Sequence, residues 1–387
     1  MFKMDFSQII SCPYTLALSA VMALSMVYLL IYYGIFYFRV GHYKGPKGKK
    51  KDADNAVLPP VSIILTAQND AEWLKANLIY LLEQDYPTFE VVVVDYMSKD
   101  ETKFVLKLLA ENYPHLKVVP VGENANGYQG KKYPMSMGIA SAKYDHLLLA
   151  DPECMPDDLV TFSWIREMMK GYVHKNIDIV LGYCGIHHKK GLFNVLQQYD
   201  NLEYSVSYLG AAIHHSPYTG NGRNLSYKRP FFLKSHGFIY HYNIPDGADD
   251  MFVNQNCRRH NTSVVLTPGS FTMVNPQPTM RQWHNYRKHR VVTYRYHSFS
   301  NKFSRLLPPL SVVAFYLTGI LLLLQGVMPW YILLAALVVK LAWQIISVAQ
   351  STRRLIIKPV VYWISPLLEI YFLIANTILA ISPLSKK

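Results

Sequence analysis

Two carboxylates, Asp151 and Glu153, follow directly on the apolar run Leu147-Leu148-Leu149-Ala150, with Pro152 between them. Hard divalent cations take oxygen ligands. Magnesium in particular is commonly held by one or two carboxylates together with the phosphates of a substrate. An acidic pair at the end of a buried strand is therefore a candidate cation site for a phosphorylated ligand. The same letters also open ordinary loops, where acids and prolines are frequent, so the surrounding elements must decide.

Those elements alternate. Val61–Leu65 reads as a strand, 70–84 carries Leu74, Leu78, Leu81 and Leu82 at helical spacing, and Val91–Val94 is an apolar run without alternation. Such a run suits a parallel strand covered on both faces. A helix over 102–111, a strand over 117–121, a helix over 133–142 and a strand over 146–150 continue the series. This order predicts an α/β, Rossmann-like, doubly wound sheet. Ligands of such sheets bind beyond the carboxyl ends of the strands, where Asp95 and Asp151 both fall.

Apolar residues make up 51% of the 387 and charged residues only 17%. No charge occurs from Phe6 to Phe38 or from Leu306 to Val339, and each run exceeds the ~20 residues that cross a bilayer. The first run is too long for a signal peptide, and its basic cluster (Arg39, Lys44, Lys47, Lys49, Lys50, Lys51) follows it. By the positive-inside rule the amino terminus lies outside and the segment after Phe38 inside. The expected organisation is an extracytoplasmic 1–12, a span at 13–38, a basic linker at 39–60 and a cytoplasmic catalytic domain at 61–278. An interfacial amphipathic segment at 279–305 follows, then a membrane region at 306–387 with spans near 309–324, 330–348 and 359–381. Lys340 and Glu369 fall mid-membrane at a similar depth, roughly 16–20 Å from their common basic connection at 1.5 Å per residue, so they are expected to face each other. The net charge of +13 is largely juxtamembrane, which fits anionic lipid and not nucleic acid. Cys12, Cys154, Cys184 and Cys257 form no close pair, so neither a zinc site nor a disulfide framework is suggested.

At this point the chain resembles a known family. Val61-Ser-Ile-Ile-Leu-Thr-Ala-Gln-Asn69, Leu82-Glu-Gln-Asp-Tyr-Pro87 and Glu90-Val-Val-Val-Val-Asp-Tyr-Met-Ser-Lys-Asp100 are similar to the opening of membrane-bound bacterial family-2 glycosyltransferases of the GT-A fold. Gly130-Lys-Lys132, Asp151-Pro-Glu153, Gly222-Arg-Asn-Leu-Ser-Tyr227 and Gly247-Ala-Asp-Asp-Met-Phe252 follow in that family's order. The resemblance implies that Thr66, Asn69, Asp95, Tyr96 and Asp100 bind the base and ribose of a nucleotide sugar. It implies that Lys131 or Lys132 meets the diphosphate, that Arg223, in the acceptor-side segment, is a binding residue, and that Asp151 and Glu153 hold Mg2+ or Mn2+. Asp250 would take the acceptor's proton, Asp249 would orient it, and the anomeric configuration would invert. Each has a plainer alternative. Asp249 and Asp250 suit any helix start, Lys131-Lys132 any solvated loop, and Arg223-Asn224 any tethered loop. Trp283 reads as an interfacial anchor before a sugar platform.

The chain departs from the family pattern in three places. Tyr96 stands where a second aspartate is usual. Glu153 replaces an aspartate. The segment Trp283–Arg290 lacks the Gln-x-x-Arg-Trp motif of processive synthases, leaving His289 or Arg290 to take that arginine's place on the diphosphate. The expected activity is transfer of one or a few sugars to a lipid-linked or glycan acceptor at a bacterial cytoplasmic membrane. The alternatives are a processive polysaccharide synthase and a catalytically degenerate partner in a membrane complex. A homo-oligomer stays open.

Overall fold

The computed structural model describes residues 13–45, 58–122, 130–157, 162–244, 246–326 and 328–381. The expected outer segment 1–12 and linker residues 46–57 lie outside this set. The chain forms two compact units, one from residues up to His42 with those from His297 onward, the other from Tyr43 to Tyr296.

The first unit opens with α1 (Pro13–Tyr32), which widens into a π-type turn over Tyr33–Phe38 and ends at Gly41. The second unit follows in the order β1 (Val61–Ala67), α2 (Ala71–Leu82), β2 (Phe89–Tyr96), α3 (Thr102–Asn112), β3 (Leu116–Val121), α4 (Lys132–Ser141), β4 (His146–Leu149) and β5 (Cys154–Pro156). It continues with α5 (Trp164–Met169), β6 (Ile179–Leu181), β7 (Cys184–Ile186), α6 (Leu192–Ile213), β8 (Leu225–Lys228), α7 (Arg229–Lys234), α8 (Asp250–Asn256), β9 (Thr262–Val264), β10 (Thr272–Val274) and α9 (Met280–Tyr294). The first unit then resumes with α10 (Phe299–Gln325), α11 (Trp330–Arg354), α12 (Val360–Trp363) and α13 (Ser365–Ile381).

Seven strands form one sheet in the order β3-β2-β1-β4-β8-β6-β9, and β5-β10-β7 form a second. β1 pairs in parallel with both β2 and β4, whereas β8 runs antiparallel to its neighbours β4 and β6. Chain direction therefore reverses its progress across the sheet between β1 and β4, the switch point where open α/β sheets bind ligands. Val91 to Val94 are all 0% exposed, which is why that stretch shows no alternation. α4 covers β1 and β2 closely: a Cβ on Gly138 would stand 2.8 Å from Val94 Cγ2 and 3.0 Å from Ile64 Cγ2. A side chain there would push the helix off the sheet.

Within the first unit, three helices among the described residues are long and apolar enough to cross a bilayer: Pro13–Gly41, Phe299–Gln325 and Trp330–Arg354. The expected last span at 359–381 is broken at Ile364. Pro366 lacks the N–H that would bond to the Tyr362 carbonyl, and its ring clashes there; Ser365 Oγ donates to that carbonyl at 2.8 Å. The remaining α13 is shorter. Met22, Leu29, Val312, Phe315, Leu322 and Leu333 pack as the core of the unit. Leu24, Leu324 and Leu367 are strongly exposed, as suits groups that meet lipid.

Lys340 and Glu369 do form a buried ion pair between α11 and α13. Glu369 Oε1 also accepts from Tyr33 Oη at 2.6 Å, and Lys340 donates to Gln344 Oε1 at 2.7 Å and Tyr316 Oη at 3.2 Å. Four helices thus share one polar knot. Carbonyls flanking and within the π-type turn are satisfied from α11, since Trp343 Nε1 donates to Leu30 O at 2.9 Å and Ser351 Oγ to Tyr37 O at 2.5 Å. In hydrocarbon such groups need an internal partner.

The expected interfacial segment 279–305 is divided. Its first part is α9, in the same unit as the sheet, and its second part opens α10. Trp283 is buried, with the Arg287 guanidinium 5.1 Å from its ring centroid. It is a packing residue of the globular unit and not an exposed anchor.

Candidate active site

Asp151 follows β4 at the switch point: the Ala150 N–H donates to Ile64 O of β1 at 3.2 Å, and the strand ends there. The Lys131 ammonium lies 2.6 Å from Asp151 Oδ1, and Arg223 Nε lies 3.5 Å from Asp151 Oδ2. Arg223 Nη2 also pairs with Glu153. Burial alone would raise the Asp151 carboxyl; the charges of Lys131 and Arg223 outweigh it and hold the group below its ordinary 3.8. This pairing stabilises the fold above the ordinary carboxylate range and is lost as pH falls through the lowered value.

The segment around Arg223 carries the second acidic pair. Gly222 N–H donates to Asp249 Oδ2 at 2.5 Å, and the buried Thr219 hydroxyl donates to Asp250. Asp249 precedes α8 and Asp250 opens it. Burial, reinforced by the neighbouring Asp250 charge, pushes the Asp249 carboxyl up. Gly222 leaves no room for a side chain, because a Cβ would meet the Asp249 Cβ and Oδ2 at 2.9 Å. A Cβ at Gly222 meets the Asp249 Cβ itself, so Gly222→Ala is expected to shift the start of α8, misplace the adjacent Asp250 and lower turnover about 10²-fold, the scale of an ångström-size misplacement. Steady-state kinetics on the folded variant checks this, and full activity would show that the contact carries no constraint. Asn224 ties the segment down: it is 0% exposed, donates to Tyr183 O at 2.8 Å and Ser270 O at 2.7 Å, and accepts from Trp164 Nε1 at 3.1 Å.

The residues expected at the base and ribose end are close together, with different tasks. Thr66 Oγ1, at the end of β1, is buried without a hydrogen-bond partner among the described residues. Asn69 takes a left-handed backbone (φ 60°) and its Oδ1 accepts from Lys99 N–H at 2.8 Å. Asp95 is buried and accepts from Ser98 N–H at 3.3 Å, while Tyr96 is partly exposed, its ring edge-on to Tyr133 at 6.3 Å. Asp100 does not present a free carboxylate. Its oxygens accept from Ala71 N–H at 3.2 Å and Thr102 N–H at 3.0 Å, capping α2 and α3. Asp70 was read from the sequence as the first residue of a helix, and it does precede α2, but it was not singled out as a site residue. It feels the same acidic site, since burial raises its carboxyl and the Asp151 and Glu153 charges add to that.

Residues 26–377 match the description of glycosyl transferase family 21. The chain belongs to that family. The sequence motifs had pointed to family 2, and the GT-A glycosyltransferase they implied is what the chain is. The chain is 22% identical over 182 residues to a poly-beta-1,6-N-acetyl-D-glucosamine synthase of Staphylococcus epidermidis, covering 46% of this chain and 42% of that protein. It is 26% identical over 149 residues to glycosyltransferase AglE of Haloferax volcanii, covering 38% and 46%. The matches thus span less than half the length of these relatives. In fold it is similar to a mannosyltransferase, PcManGT, from Pyrobaculum calidifontis, solved with GDP-Man and Mn2+. That likeness has a TM-score of 0.55 at 19% identity and covers 90% of this chain and 99% of the other.

Within this family 21 glycosyltransferase the two adjacent lysines part ways. Lys131 reaches the acid pair, whereas Lys132 is 1% exposed and its ammonium donates to the carbonyls of His241 at 2.8 Å, Asp246 at 2.7 Å and Ile244. Lys132 clamps a loop and does not present its charge to a diphosphate. The two candidates for the missing arginine also differ from expectation. His289 pairs with Asp246 at 2.9 Å. Arg290 pairs with Asp200, which also receives Arg287 at 3.1 Å. Tyr286 was not singled out from the sequence, yet its ring lies 4.8 Å from the Arg223 guanidinium and 5.0 Å from that of Arg290. Its hydroxyl accepts from Arg223 Nη1 at 3.0 Å. Beside them is a small cleft, no larger than a water molecule needs, whose lining includes Asp200, Arg223, Trp283, Tyr286 and Arg290.

Proposed function

We propose that this family 21 member moves a sugar from a nucleotide-sugar donor to a lipid-linked or glycan acceptor by an inverting, cation-assisted displacement, with Asp250 as general base. The observation that supports it is the run Thr219–Arg223. Thr219 meets Asp250, Gly222 meets Asp249 and Arg223 meets Asp151 and Glu153, so one short segment serves both acidic pairs.

The donor set fits magnesium or manganese. Asp151 and Glu153 offer hard oxygens in a partly open setting, their side chains 18% and 24% exposed. Two carboxylates leave the remaining ligand positions to phosphate oxygens and water, as magnesium commonly takes them. Such an ion, held by Asp151 and Glu153, would supply charge to a departing diphosphate. The chain's own residues do the rest. Asp250 accepts the proton of the acceptor hydroxyl, whose oxygen bonds to the anomeric carbon as the bond to the diphosphate oxygen breaks. Thr219 aims Asp250, and Asp249 is fixed by the Gly222 amide. Thr66 and Tyr96 stand at the strand ends on the nucleotide side.

The apolar helices that flank the catalytic segment in the chain support a membrane-borne acceptor. The basic residues after the first span support a catalytic unit in the cytoplasm of a bacterium. The relative solved with GDP-Man and Mn2+ supports the donor and cation class.

A panel of nucleotide sugars with Mn2+, scored by nucleoside diphosphate release from the full chain in detergent, tests the reading. One donor class is expected to turn over, and Asp151→Asn is expected to lower that rate about 10²–10³-fold, the scale of losing an electrostatic contact to developing charge. Turnover indifferent to Asp151, or none with any donor, would refute it.

A further inference from the structure

The guanidinium of Arg223 occupies the position that the acid pair would offer a cation. It touches both carboxylates, and its side chain is only 14% exposed. Lys131 also meets Asp151, but its side chain is 56% exposed. Arg223 is held differently: Tyr286 receives both its charge on the ring and its Nη1 proton on the hydroxyl. Tyr286 in turn lies in α9, anchored by Arg287 and Arg290 on Asp200. Arg223 also lines a small cleft with Tyr286 and Arg290, so a shift of its guanidinium moves along that wall.

Lys131 and Arg223 already share Asp151, and a divalent cation brought to the same two carboxylates would be strongly repelled by the buried guanidinium. A planar guanidinium matches phosphate oxygens in the same forked way that it matches carboxylate. We infer that Arg223 is the resident counter-ion of Asp151 and Glu153, and that it is exchanged on donor binding. The carboxylates trade the guanidinium for a divalent cation while the guanidinium trades carboxylate for diphosphate oxygens. Cation binding is thereby coupled to binding of a nucleoside diphosphate group, and the cation alone binds poorly. This rests on the cation-assisted reading above and adds to it an order of events and a role for Arg223 and Tyr286.

Mn2+ binding to the full chain in detergent, followed by the electron paramagnetic resonance signal of free Mn2+, tests it without turnover. Wild type is measured with Mn2+ alone, with added UDP and with added GDP. The preferred nucleotide is expected to tighten Mn2+ binding at least tenfold, within the usual 5–150-fold range of such couplings. Arg223→Gln is expected to bind Mn2+ alone at least tenfold tighter than wild type, with the nucleotide enhancement reduced. Tyr286→Leu, which frees the guanidinium without removing it, is expected to shift binding the same way by a smaller factor, and it decides the matter if Arg223→Gln does not fold. If both variants bind Mn2+ alone no tighter than wild type, while Asp151→Asn abolishes binding in the presence of nucleotide, the exchange is overturned and the cation site stands. Absence of Mn2+ binding in every protein, with or without nucleotide, would overturn both.

Discussion

Asp250→Asn is expected to lower sugar transfer by about 10²–10⁴-fold, the usual worth of a positioned general base, while nucleoside diphosphate affinity changes little. The substitution is nearly isosteric, and the amide oxygen still accepts from the Thr219 hydroxyl. What is lost is the capacity to take a proton. Asp249→Asn should behave differently. Its carboxylate is fixed by Gly222 N–H, and its neighbour's charge helps push it up. Removing the Asp249 charge removes repulsion within the pair, so the acidic limb of the pH–rate profile moves to lower pH while a substantial rate remains at neutral pH. Pre-steady-state and pH-dependent kinetics of both variants separate the roles. Equal losses, with no displacement of the acidic limb, would contradict the assignment of the base to Asp250.

Glu369→Ala is expected to destabilise the membrane unit by about 3–5 kcal/mol, because it leaves the buried Lys340 ammonium without its carboxylate. Tyr33 loses its acceptor in the same step. Joint replacement with apolar groups, Lys340→Met with Glu369→Leu, should recover most of that loss, since desolvating two charges offsets much of their attraction. Unfolding of wild type, Lys340→Met, Glu369→Leu and their combination in mixed micelles closes a double-mutant cycle, with Glu369→Ala measured beside them. A single variant within about 1 kcal/mol of wild type would show that water or lipid head groups already compensate the lysine.

The sheet and the membrane helices were legible because their signals are local. The uninterrupted valines of β2 speak for burial on both faces, and the charge-free runs speak for lipid. The Lys340–Glu369 pair was legible because depth along a helix follows from residue count. The break at Ile364 was legible in principle from Pro366, but apolar content on both sides hid it. The tasks of Lys131 and Lys132 were not separable, since neighbouring lysines have the same chemistry until the fold turns one toward Asp151 and the other toward the 241–246 loop. Nor was α9: aromatic and basic residues in alternation describe a head-group helix as well as one that docks on a buried acid. Only the distant Asp200, placed by α6, distinguishes them. That Thr66, Asp95 and Tyr96 share neighbouring strand ends was legible from the strand pattern, but that Asp100 caps two helices depends on where α2 and α3 begin in space.

The knot around Lys340 also bears on how the protein is made. During synthesis α11 leaves the ribosome before α13 exists, so its lysine has no carboxylate within the bilayer at that stage. A lone ammonium at that depth opposes stable residence of the helix in lipid. Until Glu369 arrives, the lysine of α11 has only the neutral Gln344 and Tyr316 oxygens as partners, so α11 is expected to settle at its final depth only once α13 is made.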